Sequence, residues 1–510
     1  MPTNYWIATS ASNWNNASNW SLGHVPLAGE DVVFDDAYSN QNCTIDVNVG
    51  TPAGGTLRSI TVSSTYTGTI NIAAVQEGGL AGCWGATTIS GGTITSALSN
   101  CGISECSSLT INGGTIKLGS TNHFRARGNT TITSGCNWQS GQVNLRLTTA
   151  TLYIAPTITG LIIQNCTLTV NSNIQLTGDA VFDPVVGGAG TIDMGNYNLI
   201  IGGSLYVNAG TLKIGNGTLS VSGSASFGTS SAPNGYLNIV GNPTISISGT
   251  LTINATGIFG DSDVNYNLTT NGAITINSGG KFYAPNASGT WTNKGNLTFN
   301  SGAVFHHNNG TMTLGNNITF TNNSNNSHFN KIVFRYFIGE NYYHYYITVN
   351  NKLEFKDSDV TADDIKLGSS TAWVCCNNYN INKSYILFGT LNYSTPTAYP
   401  LPTPSKLADA INIYNIQSTI AGSYPTYVRY DTDNVFINTL YVDKNATIKV
   451  PDFTDLYVAK LINNGVWYKA SGYNGRIHLI GEQSACFDYN IIDVDDKGLV
   501  NILDMINIKD

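Results

Sequence analysis

A five-residue phrase constrains this chain more than any other feature: Gly, then usually Thr, Ala or Asn, then an apolar-polar-apolar triplet. It recurs as GTIKL at 114–118, GTLKI at 210–214, GTLSV at 217–221, GTLTI at 249–253, GAITI at 272–276, GNLTF at 295–299 and GTMTL at 310–314. Alternation with a period of two over so few residues, bracketed by Gly and Asn, describes a short strand with one buried face. Gly92 to Gly114 is 22 residues, and Gly249 to Gly272 and Gly272 to Gly295 are both 23. A β-solenoid made of short strands and tight corners has turns of this length. Phrases starting at 203, 210 and 217 are seven apart, which places several strands within one turn. The sequence therefore predicts columns of identical environment, with apolar side chains stacked inside and Asn ladders at the corners. A string of β-sandwich domains is the competing architecture, and it would need longer strands and discrete linkers.

Composition agrees with an all-β reading. Of 510 residues, 54 are Gly and 62 are Asn, two poor helix formers that favour turns, so a mostly helical protein is excluded. Apolar residues still make up 41%, enough for an ordered core. The net charge of -8 and the thin scatter of 23 basic residues argue against nucleic acid as a partner. No apolar run reaches about 18 residues, so no membrane insertion is expected. Residues 1–25 are polar and tryptophan-rich and the first basic residue is Arg58, unlike a secretory signal, which predicts folding in a cytoplasm. The nine cysteines are odd in number and lack a Cys-x-x-Cys pair, so buried free thiols are expected. Cys83 and Cys106, 23 apart, are expected in one internal column.

The chain divides by pattern into a Trp/Asn-rich cap module at 1–50, a β-solenoid at 51–330, an aromatic hairpin region at 331–394, a Pro-rich connection at 395–406 and a C-terminal β region with a terminal cap at 407–510. The hairpin is predicted from Ile332–Ile338 and Tyr342–Val349 flanking Gly339-Glu340-Asn341. Only Ser405–Ile413 suggests a helix, and strand stacking is expected to resume near TLYV at 439–442.

Residues 5–36 combine Trp6, Trp14, NWS at 19–21, Val25-Pro26, and Asp31 before Val32, Val33 and Phe34. This phrase resembles the opening module of β-solenoid surface proteins found among bacteriophage tail fibres and other virion proteins, and among autotransporter-like adhesins. The likeness covers about 30 residues closely and most of the chain loosely through the strand phrases. It implies a surface role on an elongated solenoid and carries no catalytic residue. The expectation is a non-enzymatic phage virion structural protein, a fibre or surface decoration, with other virion proteins and a host-surface glycan as partners. A bacterial cell-surface adhesin is the alternative, and a tailspike polysaccharide depolymerase a second one. The missing secretion signal favours the virion, where a protein assembles in the cytoplasm and leaves by lysis.

Candidate sites follow from residue type and spacing. Asp261 with Asp263, and Asp357 with Asp359, could each share a strand face about 7 Å apart, as paired glycosidase carboxylates do, although turn aspartates are the commoner explanation. His306, His307 and His328 lack a partner at diagnostic metal-ligand spacing. Asp493–Asp504 looks like half a dockerin, with acids at positions one, three and twelve of a calcium loop and Gly498 at six, but Lys497 stands where an oxygen ligand belongs. No catalytic residue, metal or cofactor is assigned. The binding candidates are Tyr336, Tyr342, Tyr343, Tyr345 and Tyr346, with Phe337 beside them. Rings with polar tips suit core packing, a subunit interface or glycan stacking, and a homotrimer closed by these rings is expected.

Overall fold

A computed structural model describes residues 2–355, apart from 48, 50–55, 75–82, 97, 99–101, 147–148, 184–189, 232, 325–326 and 328. Beyond 355 it describes the strands Ile365–Leu367, Trp373–Cys376, Tyr379–Ile381, Ile411–Ile413, Val435–Val442, Thr447–Ile448, Asp455–Asn463, Val466–Trp467 and Arg476–Leu479. The chain forms two compact units, residues 1–261 and 262–510. Both are parallel β-solenoid.

From Gly160 to Ile247 of the first unit each turn contributes one strand to each of three faces. Leu205–Val207, Gly210–Ile214 and Thr218–Val221 form one turn, and Ala225–Phe227, Gly235–Ile239 and Thr244–Ile247 form the next. Leu205 stacks on Ala225, Thr211 on Tyr236 and Thr218 on Thr244, all in parallel register. The seven-residue spacing seen in the sequence is the step from one face to the next.

Alternation sends every second side chain inward, where equivalent positions stack. Val62, Ile89, Ile111, Ile132 and Ile154 occupy one column across five turns, and all are buried. Each such side chain contributes roughly 1.5–3 kcal/mol of apolar burial. The corners hold themselves by side chain to backbone ladders. Asn173 Oδ1 accepts from the Asn198 N–H at 2.9 Å, and Asn198 Oδ1 accepts in turn from the Thr218 N–H at 2.8 Å. At another corner Asp179, Ser204, Ser224 and Thr250 repeat the same bond over successive turns. These bonds satisfy corner amides that the strand ladders do not reach.

Thr3–Tyr5 already lies in the ladder, paired with Asp31–Phe34, which pairs with Ser59–Val62. Trp6, Trp14 and Trp20 are buried against Phe34 inside this first turn. Two of the indole donors are placed by hydrogen bonds: Trp20 Nε1 donates to the Trp14 carbonyl at 2.8 Å, and Trp6 Nε1 to the Gln41 carbonyl at 2.9 Å.

Cys83 and Cys106 do not share a column, which corrects the expectation from their spacing. Cys83 is opposite Glu105, and Gly85 is opposite Cys106, because the register shifts on both sides of Gly85. Gly85 has φ +65, and a Cβ there would collide with the Leu57 carbonyl, so the bulge needs Gly. Among the described residues Cys43, Cys106, Cys136 and Cys166 are buried thiols.

The second unit repeats the arrangement. Ile274–Ile276, Leu297–Phe299, Ile318–Asn322 and Ile347–Asn350 stack in register, as do Asn267–Thr270, Thr290–Asn293, Thr311–Leu314 and Lys331–Val333. Its core is more aromatic, with Phe282, Trp291, Phe299, Phe305, Phe320 and Phe329 in mutual ring contact. Val435–Val442 pairs in parallel with Asp455–Asn463, which pairs with Arg476–Leu479, so stacked strands do recur near 440. Ile411–Ile413 is a strand paired with Tyr379–Ile381, not the end of a helix, because its Ile-Asn-Ile alternation suits a ladder. The Pro-rich connection at 395–406 and the Asp493–Asp504 loop lie outside the described residues.

Candidate binding surfaces

One antiparallel hairpin leaves the parallel ladders of the second unit. Arg335–Ile338 pairs with Asn341–His344, with Ile338 opposite Asn341, so the turn is the two residues Gly339 and Glu340. Gly339 has φ +59, which the first central position of a tight hairpin turn requires. The hairpin is shorter than its sequence pattern implied. Ile332 belongs to the strand stacked on Thr311–Leu314, and Ile347 and Val349 to the strand stacked on Ile318–Asn322. Burial of Ile332, Phe334, Ile347 and Val349 holds those flanks in the solenoid, and only the residues between them project.

The hairpin sorts its rings onto two faces. Tyr336 lies opposite Tyr343, and Tyr345 completes a cluster with them at 6.2 and 6.4 Å between ring centroids. The second face carries Phe337 opposite Tyr342, with centroids 5.0 Å apart. Phe337 is 70% exposed and Tyr342 54%, and Ile338 at the tip is 60% exposed. Tyr345 and Tyr346 lie at the base of the projection. The Tyr345 N–H donates to the Phe334 carbonyl at 2.9 Å, and the Tyr346 N–H donates to Asn317 Oδ1 at 3.1 Å. Partial burial, followed by the neighbouring Tyr345 and Tyr343, raises the Tyr336 phenol above its ordinary pKa. The structure thus brings Tyr336, Tyr343 and Tyr345 together and separates Tyr342 from them. Ile338, an exposed apolar side chain at the tip, was not among the candidates read from the sequence.

The other candidates fall apart as sites. Neither Asp261 nor Asp263 is in a strand, so they share no strand face, and Asp263 has φ +56 in a turn. The Asp261 carboxylate is engaged by the Tyr236 hydroxyl, by Asn238 Nδ2 at 3.1 Å and by the Ile239 N–H at 2.8 Å. His306 stacks on Tyr283 with centroids 4.4 Å apart, and burial followed by the nearby Lys281 lowers its pKa. His307 Nδ1 accepts from the Asn309 N–H at 2.8 Å. Among the described residues no three His, Cys, Asp or Glu side chains are placed to hold a metal. Asp357, Asp359 and His328 lie outside the described residues.

A second, polar cluster was not read from the sequence at all. On the outer wall of the first unit, Glu105, Arg125 and Asn144 occupy one column on three successive turns, with His123 beside Arg125. The neighbours Phe124, Ala126, Val143 and Leu145 are fully buried, so these polar residues lie on the opposite face of their strands, where Glu105, His123 and Asn144 are buried as well. The Glu105 carboxylate pairs with Arg127 and, at 3.9 Å, with Arg125. The available signal was local: three of the chain's seven arginines fall between 125 and 146.

The fold and the projecting rings define a class, a parallel β-solenoid that displays an aromatic hairpin. Compared with family models, curated proteins and solved structures, the chain matches none.

Proposed function

We propose that the chain is a non-enzymatic structural protein of a phage virion, a fibre or surface decoration whose aromatic hairpin makes contacts outside its own solenoid. The observation that carries this reading is the exposed pair Phe337 and Tyr342, opposite one another on one face of a hairpin that departs from otherwise parallel ladders. A contiguous apolar patch held out on a braced projection marks an interaction site, whereas isolated exposed apolar residues need no explanation. Rings at the centre of a patch contribute most to association, which suits a neighbouring copy in a homotrimer. The ladders and corner bonds of each unit suit a scaffold that must persist outside a cell, because their backbone groups are paired turn upon turn.

Gold-labelled antibodies against the hairpin, imaged on intact particles, test the assignment. Label on particles supports it. Label confined to bacterial envelopes would establish the adhesin reading instead, and cleared zones around purified protein on capsulated lawns would establish a depolymerase.

A further inference from the structure

The projecting hairpin is a sheet of only two strands. Arg335–Ile338 and Asn341–His344 pair with each other, and among the described residues neither has a second neighbour, so each strand keeps one open edge. Register shows which backbone groups lie along those edges. The bond from the Tyr345 N–H to the Phe334 carbonyl, at 2.9 Å, marks these two as a bonded pair, and bonded pairs alternate with unbonded ones along an antiparallel ladder. Counting by twos, Tyr336 with Tyr343 and Ile338 with Asn341 keep their N–H and C=O groups inside the hairpin. Phe337 and Tyr342 therefore turn theirs outward, Phe337 along one edge and Tyr342 along the other. The same two residues carry the exposed rings.

Nothing in the sequence guards these edges. Open edges are ordinarily blunted by Lys, by Pro or by a β-bulge. RYFI at 335–338 and NYYH at 341–344 contain neither residue, and their register runs without a shift. A ribbon of two strands is marginal in water and becomes stable when further strands or an apolar cover join it. Burial of Phe334 and Ile347 anchors the base of this ribbon in the solenoid, while Phe337, Ile338 and Tyr342 have no such cover. Self-complementarity names the occupant. One edge runs up the hairpin and the other runs down it, so two hairpins side by side in the same orientation set the Phe337 edge of one antiparallel to the Tyr342 edge of the next. Such a contact joins two different surfaces and satisfies every edge only by closing into a ring. An extended peptide from another protein would cover one edge and leave the other open.

We propose that the hairpin is completed by strand addition between copies of this chain, the Phe337 edge of one pairing with the Tyr342 edge of the next, so that three hairpins close into one antiparallel ring. This rests on the reading of the hairpin as a contact outside its own solenoid, and adds the partner and the main-chain bonds that hold it. Two hairpins supply too few strands to close around their own side chains, and a third completes the ring and removes the open edges. Phe337 and Tyr342 share one face, so closure directs both rings of every copy towards the axis and buries what each copy alone exposes. Tyr336 and Tyr343 lie on the other face and stay on the outside of the ring.

Sedimentation velocity of the full chain tests the pairing through the Phe337 N–H. Proline is accepted where an edge N–H faces outward but cannot donate, so Phe337→Pro removes the edge donor and the ring, whereas Phe337→Ala removes the ring alone. The wild type should sediment as a trimer, and Phe337→Pro should weaken assembly about tenfold more than Phe337→Ala, the loss expected of a main-chain bond at each contact. Phe337→Cys and Tyr342→Cys chains, co-expressed, should form a disulfide with one another faster than either does with itself. If circular dichroism shows Phe337→Pro to be misfolded, this cross-link decides. Equal weakening by folded Phe337→Pro and Phe337→Ala, or cross-linking of like with like, would overturn the edge pairing and leave the hairpin as a contact made by rings alone. A monomeric wild type would overturn the pairing together with the reading beneath it.

Discussion

Tyr336 stacks on Tyr343 across the hairpin, with ring centroids 5.4 Å apart and planes inclined by 17°. This pair braces one face of the projection and leaves Phe337 and Tyr342 on the other face exposed. Bracing and display are therefore separable by mutation. The purified protein should scatter light as a trimer of the 54.3 kDa chain. Phe337→Ser with Tyr342→Ser should release monomers at micromolar concentration while leaving the circular dichroism unchanged, because losing buried rings removes the central part of an interface. A monomeric wild type, or a double variant that still assembles, would rule out this face as the contact.

The interior column makes a sharper energetic prediction. Ile111 is fully buried between Ile89 and Ile132. Ile111→Ala should lower the unfolding free energy by about 2–4 kcal/mol, the range for a large-to-small change in a packed core. The neighbouring outward residue Thr110 is only partly buried, and Thr110→Ala should cost less than about 1 kcal/mol. Urea unfolding of the two variants side by side gives the ratio, and equal effects would contradict the inward-outward assignment of this strand.

Thiol chemistry offers a third check. Burial pushes the Cys136 thiol up to about 12 and raises the Cys43 thiol well above its usual range. A buried thiol of high pKa presents almost no thiolate at pH 8. Alkylation followed by peptide mapping should leave Cys43, Cys106, Cys136 and Cys166 unmodified in the native protein and label them after unfolding. Reducing agent should leave the melting temperature nearly unchanged. A disulfide joining any of these four, or rapid native labelling, would be inconsistent with four buried thiols.

The strand phrases made the fold legible because their alternation encodes burial directly: in Thr115–Leu118, Ile116 and Leu118 face inward and Thr115 and Lys117 outward. The seven-residue steps likewise encoded three faces. Register was less legible, since a single bulge at Gly85 displaced Cys83 from Cys106 although the 23-residue count suggested a match. The hairpin's limits were obscured because the solenoid strands on either side continue the same alternation through Ile332 and Ile347. The polar cluster was hidden for a related reason. Glu105, Arg125 and Asn144 are aligned by steps of 20 and 19 residues, shorter than the 22 to 23 that the phrases suggested, so a fixed period does not bring them together.

His123 gives the protein a predictable response to acid. Its folded-state pKa of about 4 lies below the ordinary value of 6.5, because burial and then the Arg125 charge disfavour the imidazolium. Between those values the unfolded chain binds the proton and the folded chain does not, so stability rises with pH across this interval. The contribution is fully present above about pH 6.5 and is lost as pH falls towards 4. A shift of this size sets an upper bound of about 3 kcal/mol, with the real effect smaller wherever water reaches the ring. The urea midpoint should fall from pH 7.5 to pH 4.5, and His123→Gln, which cannot be protonated, should lose less over the same interval. If wild type and variant show the same dependence on pH, the slope belongs to other groups and His123 is not buried as the fold requires.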